Sequence, residues 1–159
     1  MGFALSNIKL SSPVFDQGWM IPGKYTGEGM DVSPALEWSD APEGTAAYAI
    51  ICHDPDAPLV TGLGTYGFVH WVLYNIPADV NQLDEGTDQY TCGKNDFGID
   101  GYGGPMPPNG HGKHHYYFWV LALDKDLELQ KGMTMWDFLK HIEPNLIGMN
   151  RLVGVYERD

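Results

Sequence analysis

Residues 116–123 read YYFWVLAL, eight aromatic or aliphatic residues in a row with no polar break at either parity. A strand with one face in water alternates, whereas a strand covered on both faces does not. Three other segments behave alike: AYAIIC (47–52), GFVHWVLYN (67–75) and LVGVY (152–156), each bounded by turn residues. With twenty Gly and eleven Pro between such runs, the pattern predicts a mainly β protein in which sheets pack face to face, with a helix on one outer side.

One helix is expected. Thr134 followed three residues later by Asp137 approximates a capping box, and Met135, Phe138, Leu139 and Ile142 share one face before Pro144 stops it. Residues 11–44 carry Pro13, Pro22, Pro34 and Pro42 and read as turns with short edge strands. Residues 78–104 are polar and Gly-rich, a long excursion between two core strands, where binding residues often lie.

The chain has 159 residues, 43% of them hydrophobic, which suits a single domain over residues 1–159. Its formal charge of −12 repels phosphate backbones and anionic bilayers, so nucleic acid is not an expected partner, and a bound anion must be held by local donors. Cys52 and Cys92 have neither disulfide-framework nor metal-ligand spacing and read as reduced thiols of a cytoplasmic protein. No apolar run approaches the length of a membrane span, so integral membrane association is not expected. The opening MGFALS has the Gly2-to-Ser6 spacing of a myristoylation signal, without the basic cluster that would supply a second anchor.

Three stretches combine polar side chains with a restrained backbone: HDPDAP (53–58), FVHW (68–71) and PPNGHGKHHYYFW (107–119). Pro55 and Pro58 fix the chain around Asp54 and Asp56, in what is either an Asx-type turn or a positioned carboxylate pair. Period-two geometry places His70 with Phe68 and Val72, and His114 with Tyr116 and Phe118; His115, Tyr117 and Trp119 face the opposite way. At the ends of neighbouring strands, Asp54, His70, His114 and Tyr116 would form an anion pocket, with Asp54 fixing an imidazole tautomer. Gly104 and Gly110 would let backbone approach a ligand, and Pro105, Pro107 and Pro108 would give flat walls. Removing His114 is then expected to abolish binding and leave the fold intact.

Two other chemistries are open. His111, His114 and His115 with an Asp could hold zinc or iron, though that spacing converges only on a helix. A hydrolase could use Asp and His as acid and base, but no Ser or Cys sits in a nucleophile elbow, so water would have to attack. GHGKHH is not a P-loop, because His114 follows the Lys where Ser or Thr is required.

HDPDAP, FVHWVLYNIP and GYGGPMPPNGHGKHHYYFWVLALD, with KYTGEGMDVSPALEW and APEGT before them and LVGVYER after, resemble the phosphatidylethanolamine-binding protein family. Its members are also called Raf kinase inhibitor-like proteins, and the likeness is to the compact prokaryotic branch. The resemblance implies a β-sandwich of two antiparallel sheets with a C-terminal helical element. It also implies a small pocket for phosphate-like or phosphorylated groups, with no catalysis and no cofactor or metal. By motif the ligand-binding residues are Asp54, Asp56, Ala57, Pro58, His70, Gly104, Pro107, Pro108, His114 and Tyr116. Partners of the kinase or protease kind, engaged by pocket or surface loop, and a homodimer are further expectations. Three departures stand out: Asn145 where the pattern has a His for which His141 could substitute, the additional His111 and His115, and the short loop LVTGLGTY (59–66).

Overall fold

In the computed structural model, residues 6–58 and 67–159 are described; Gly2 of the myristoylation pattern and the loop 59–66 lie outside them. The central sheet is built from the apolar runs. β3 (Ala47–Asp54), β4 (Phe68–Pro77), β7 (His114–Leu123) and β8 (Leu146–Tyr156) are joined at one edge by β6 (Thr91–Cys92), in the antiparallel order β6-β4-β3-β7-β8. A second antiparallel sheet is formed by β1 (Lys9–Ser11), β2 (Leu36–Ser39) and β5 (Gln82–Leu83). Residues 78–104 are thus not a bare loop, since each sheet takes one two-residue strand from them.

Both faces of the central sheet are covered, which explains the unbroken apolar runs. Trp71, Leu73, Tyr116, Phe118, Val120 and Leu152 pack against Leu10, Leu36 and Trp38 of the second sheet. On the opposite face Ile51, Val72, Tyr74 and Leu121 pack against Met135, Phe138 and Ile142 of α1 (Met135–Ile142). Burying a large apolar side chain such as Phe118 or Phe138 contributes about 1.5–3 kcal/mol. The helix begins as expected, with the Thr134 hydroxyl accepting from the Asp137 amide at 3.2 Å, a cap worth about 1 kcal/mol. Pro144 does not stop the chain at once. It sits in the first turn of a 3-10 helix (Glu143–Asn145), where a missing N–H costs nothing.

The expected grouping of His70 with Val72 is corrected. Cys52 pairs with Trp71 and the next residue, His53, pairs with Val69, leaving His70 as the extra residue of a β-bulge. The parity of β4 therefore changes at this point, and Val72 joins the helix-covered face. His70 keeps company with Phe68, their rings 4.8 Å apart. Along β7 there is no such interruption near His114, and the alternation read from the sequence holds.

Candidate functional site

The C-terminal end of β3 and the N-terminal ends of β4 and β7 meet at one edge of the sandwich, around a cavity of about 210 Å³. Its described lining has a polar floor of Asp54, His70, His114 and Tyr116, and walls of Ala57, Pro58, Phe68, Phe97, Met106, Pro107 and Pro108. Asp54, His70 and His114 are all buried, as is the whole of Tyr116.

Each polar group on the floor has a defined neighbour, with one exception. The Asp54 carboxylate accepts from His114 Nδ1 at 2.6 Å through one oxygen and from the Asp56 amide at 2.8 Å through the other. This Asx-type bond fixes the turn after β3, so the turn and the positioned carboxylate are one device. The remaining nitrogen of His114 lies 2.7 Å from His111 Nδ1. His70 Nδ1 donates to the Gly103 carbonyl at 2.7 Å, while the Gly103 amide returns a bond to the His70 carbonyl at 2.9 Å. Burial pushes the His70 imidazole down to about 4, against the raising effects of the Gly103 carbonyl, Asp54 and Asp96. The exception is the Tyr116 hydroxyl, buried with no hydrogen-bond partner among the described residues. Burial first, then the nearby Asp54 carboxylate, raises this phenol far above the ordinary tyrosine range, so it stays protonated.

Two residues of the sequence-derived set lie outside the lining. Asp56 faces the other way, accepting from both the backbone amide and Nδ1 of His115, each at 2.7 Å. Burial raises its carboxyl, but the His115 bonds prevail and hold it below the ordinary value. Gly104 donates its amide to Asp31 at 2.7 Å, and a Cβ there would stand 2.3 Å from the Tyr25 carbonyl oxygen. The missing side chain thus lets this loop seat against the backbone of the 3-10 helix (Gly23–Tyr25) rather than against a ligand. His114 also holds Asp54, and its removal would leave a buried carboxylate without its imidazole, a cost to the fold that the reading of His114 from the sequence did not include.

Sequence reasoning missed Phe68, Phe97 and Met106 as walls, His111 as a partner of His114, and Gly103 as the acceptor for His70. A local signal existed for Phe97. NDFG (95–98) is a turn pattern, and buried Asn95 organises it by accepting from the Phe97 and Ile99 amides and donating to the Gly101 carbonyl. Phe97 then lies against Phe68 and His70, and over Gly103, where a Cβ would meet its ring at 2.3 Å.

The model of the phosphatidylethanolamine-binding protein family matches residues 11–157. The chain belongs to this family. It is 43% identical over 160 residues to a UPF0098 protein of Pyrococcus abyssi, covering 95% of this chain and 85% of that protein. Among solved structures, a putative phosphatidylethanolamine-binding protein homologue from Chlamydia trachomatis superposes with a TM-score of 0.87 at 35% identity, covering 96% of this chain and 98% of that one. YbcL of Escherichia coli, described as a member of the mammalian family, gives 0.87 at 32% identity, covering 97% and 100%.

In this member of the phosphatidylethanolamine-binding protein family, the block LVGVYER holds the pocket wall. Arg158 donates to the Pro107 carbonyl at 3.1 Å, and its own carbonyl accepts from the Gly110 amide at 2.8 Å. Asn145 lies at the far end of β7, bonded through its side chain to Asp124 at 2.9 Å, and His141 donates to the Asp137 carbonyl on α1. Neither reaches the cavity. His111, His114 and His115 do not converge, because His115 points to the opposite face; among the described residues no group of three or more His, Cys, Asp or Glu could hold a metal ion. Likewise, no described helix is long and apolar enough to cross a membrane.

Proposed function

We propose that this chain is a non-catalytic binding protein whose cavity receives a phosphate-like or phosphorylated group. The observation that carries the reading is the buried Tyr116 hydroxyl, without a partner among the described residues, on a floor shared with two imidazoles and beneath an apolar collar. A buried hydroxyl left unpaired is destabilising by about 1–3 kcal/mol, a cost that a bound acceptor would offset. Phe97 and Met106, exposed at the mouth, would meet whatever scaffold carries the anion, including a protein partner of the kinase or protease kind implied by family membership.

The test is a titration of the full chain with inorganic phosphate, followed through the histidine ring signals. Saturable shifts at His70 and His114, weakened at least tenfold in Tyr116→Phe, are expected. Absence of binding, or equal binding by the variant, would overturn the reading.

A second reading rests on the 2.6 Å Asp54–His114 pair, which has the form of a general-base dyad. It predicts turnover of a small ester or phosphoester by water. The outward nitrogen of His114 is engaged by His111, which favours binding over turnover. A hydrolysis screen with and without added zinc decides between them.

A further inference from the structure

The floor of the cavity has few hydrogen-bonding atoms left for a ligand. Both Asp54 oxygens are engaged, and both His114 nitrogens have neighbours at 2.6 and 2.7 Å. The Gly103 carbonyl can only accept, so the proton of a neutral His70 must reside on Nδ1. What His70 then has for a ligand is the lone pair of Nε2, an acceptor. Tyr116 contributes a hydroxyl whose proton has no other destination.

A fully ionised oxyanion has acceptors alone. It would satisfy Tyr116 and set its own lone pairs against that of His70. An oxyanion that still carries one proton satisfies both, accepting from Tyr116 and donating its O–H to His70 Nε2. We propose that this site, taken as an anion receptor, selects a phosphate group that still bears a proton: mono- or dihydrogen phosphate, or the monoanion of a phosphate monoester. It would discriminate against sulfate and against phosphodiesters such as lipid head groups, which have no proton to give near neutral pH.

Such a ligand could instead meet a charged His70, and the surroundings decide against this. The ring is wrapped by Phe68, Phe97 and Tyr116 at 4.8, 5.6 and 5.2 Å. Asp54 from β3 and Asp96 from the loop after β6 favour its protonation, His53 from β3 opposes it, and burial outweighs them all. An aproton anion must therefore place a proton on His70 before it binds, whereas the monoanion brings its own.

The experiment is calorimetric titration of the full chain with inorganic phosphate, methyl phosphate, dimethyl phosphate and sulfate, at pH 6 and pH 8. Phosphate and methyl phosphate are expected to bind at least tenfold more tightly than sulfate and dimethyl phosphate at pH 6. The affinity of methyl phosphate, whose dianion has no O–H, should fall as pH rises past its second ionisation, about pH 6, whereas inorganic phosphate keeps one proton as the dianion and should bind at both pH values. In His70→Gln, whose amide can donate, the preference over sulfate should shrink. Sulfate or dimethyl phosphate binding as tightly as phosphate, or methyl phosphate affinity holding or rising with pH, would overturn the proton-selective site and leave the anion receptor standing. Failure of every anion to bind would overturn both.

Discussion

Two Asp–His pairs stand side by side on the same two strand ends, and they differ in almost nothing but burial. His114 and His115 are consecutive, Asp54 and Asp56 are two apart, and the Nδ1–Oδ2 distances are 2.6 and 2.7 Å. The first pair has side chains 2% and 3% exposed and faces the cavity; the second is 47% and 41% exposed and faces solvent. Geometry of one kind therefore serves two purposes. In the dry pair water cannot replace a lost partner: without the other, Asp54 would be left with the Asp56 amide and His114 with His111. In the wet pair water takes over when the bond is broken.

The sharpest way to break this comparison is to remove each carboxylate in turn. Asp54→Ala should destabilise the fold by about 3–5 kcal/mol in urea denaturation, since it strands a buried imidazole. Equal losses from Asp54→Ala and Asp56→Ala would mean that burial does not separate the pairs. The next largest effect concerns His70, whose ring bonds the Gly103 carbonyl and, among the described residues, no carboxylate. Its folded value, about 4, lies below the unfolded value near 6.5, so the unfolded chain binds the proton more readily. Stability is whole above about pH 6.5 and falls towards pH 4 by on the order of 3 kcal/mol, a loss that His70→Gln should largely remove.

Tyr116→Phe carries the opposite sign. Removing a hydroxyl that bonds nothing among the described residues should leave stability unchanged or raise it by about 1 kcal/mol while weakening phosphate binding. A loss of stability on thermal denaturation would show that the hydroxyl has a structural partner. The smallest effect is expected for Asp56→Ala, at most about 1 kcal/mol and shrinking in high salt. Its lowered carboxyl implies a contribution present above the ordinary carboxylate range and lost as pH falls through the folded value, measurable in denaturation profiles below pH 5.

Much of this was legible in the sequence because it follows from periodicity. The unbroken run in β7 announced a sheet covered on both faces, and its alternation placed His114 with Tyr116 and apart from His115. The Thr134 cap was local and was read correctly. What escaped was set by backbone irregularity and by the distant chain. Nothing in FVHW declares that His70 is an extra residue, because a bulge is a property of two strands and not of one. The seating of Gly104 against Tyr25 and the bond from Gly103 to His70 join segments far apart in the chain, which no spacing rule reaches. His111 read as part of a turn because its partner lies on the strand that the turn leads into.

The bulge at His70 is separable from the layers around it. Without residue 70, Val69 and Trp71 would follow one another in regular alternation, and each would keep the face it now occupies. The two apolar layers do not need this histidine, and a chain shorter by one residue could build the same sandwich. The extra residue is therefore absorbed locally: it sets one imidazole at the strand end while the register on either side carries on undisturbed.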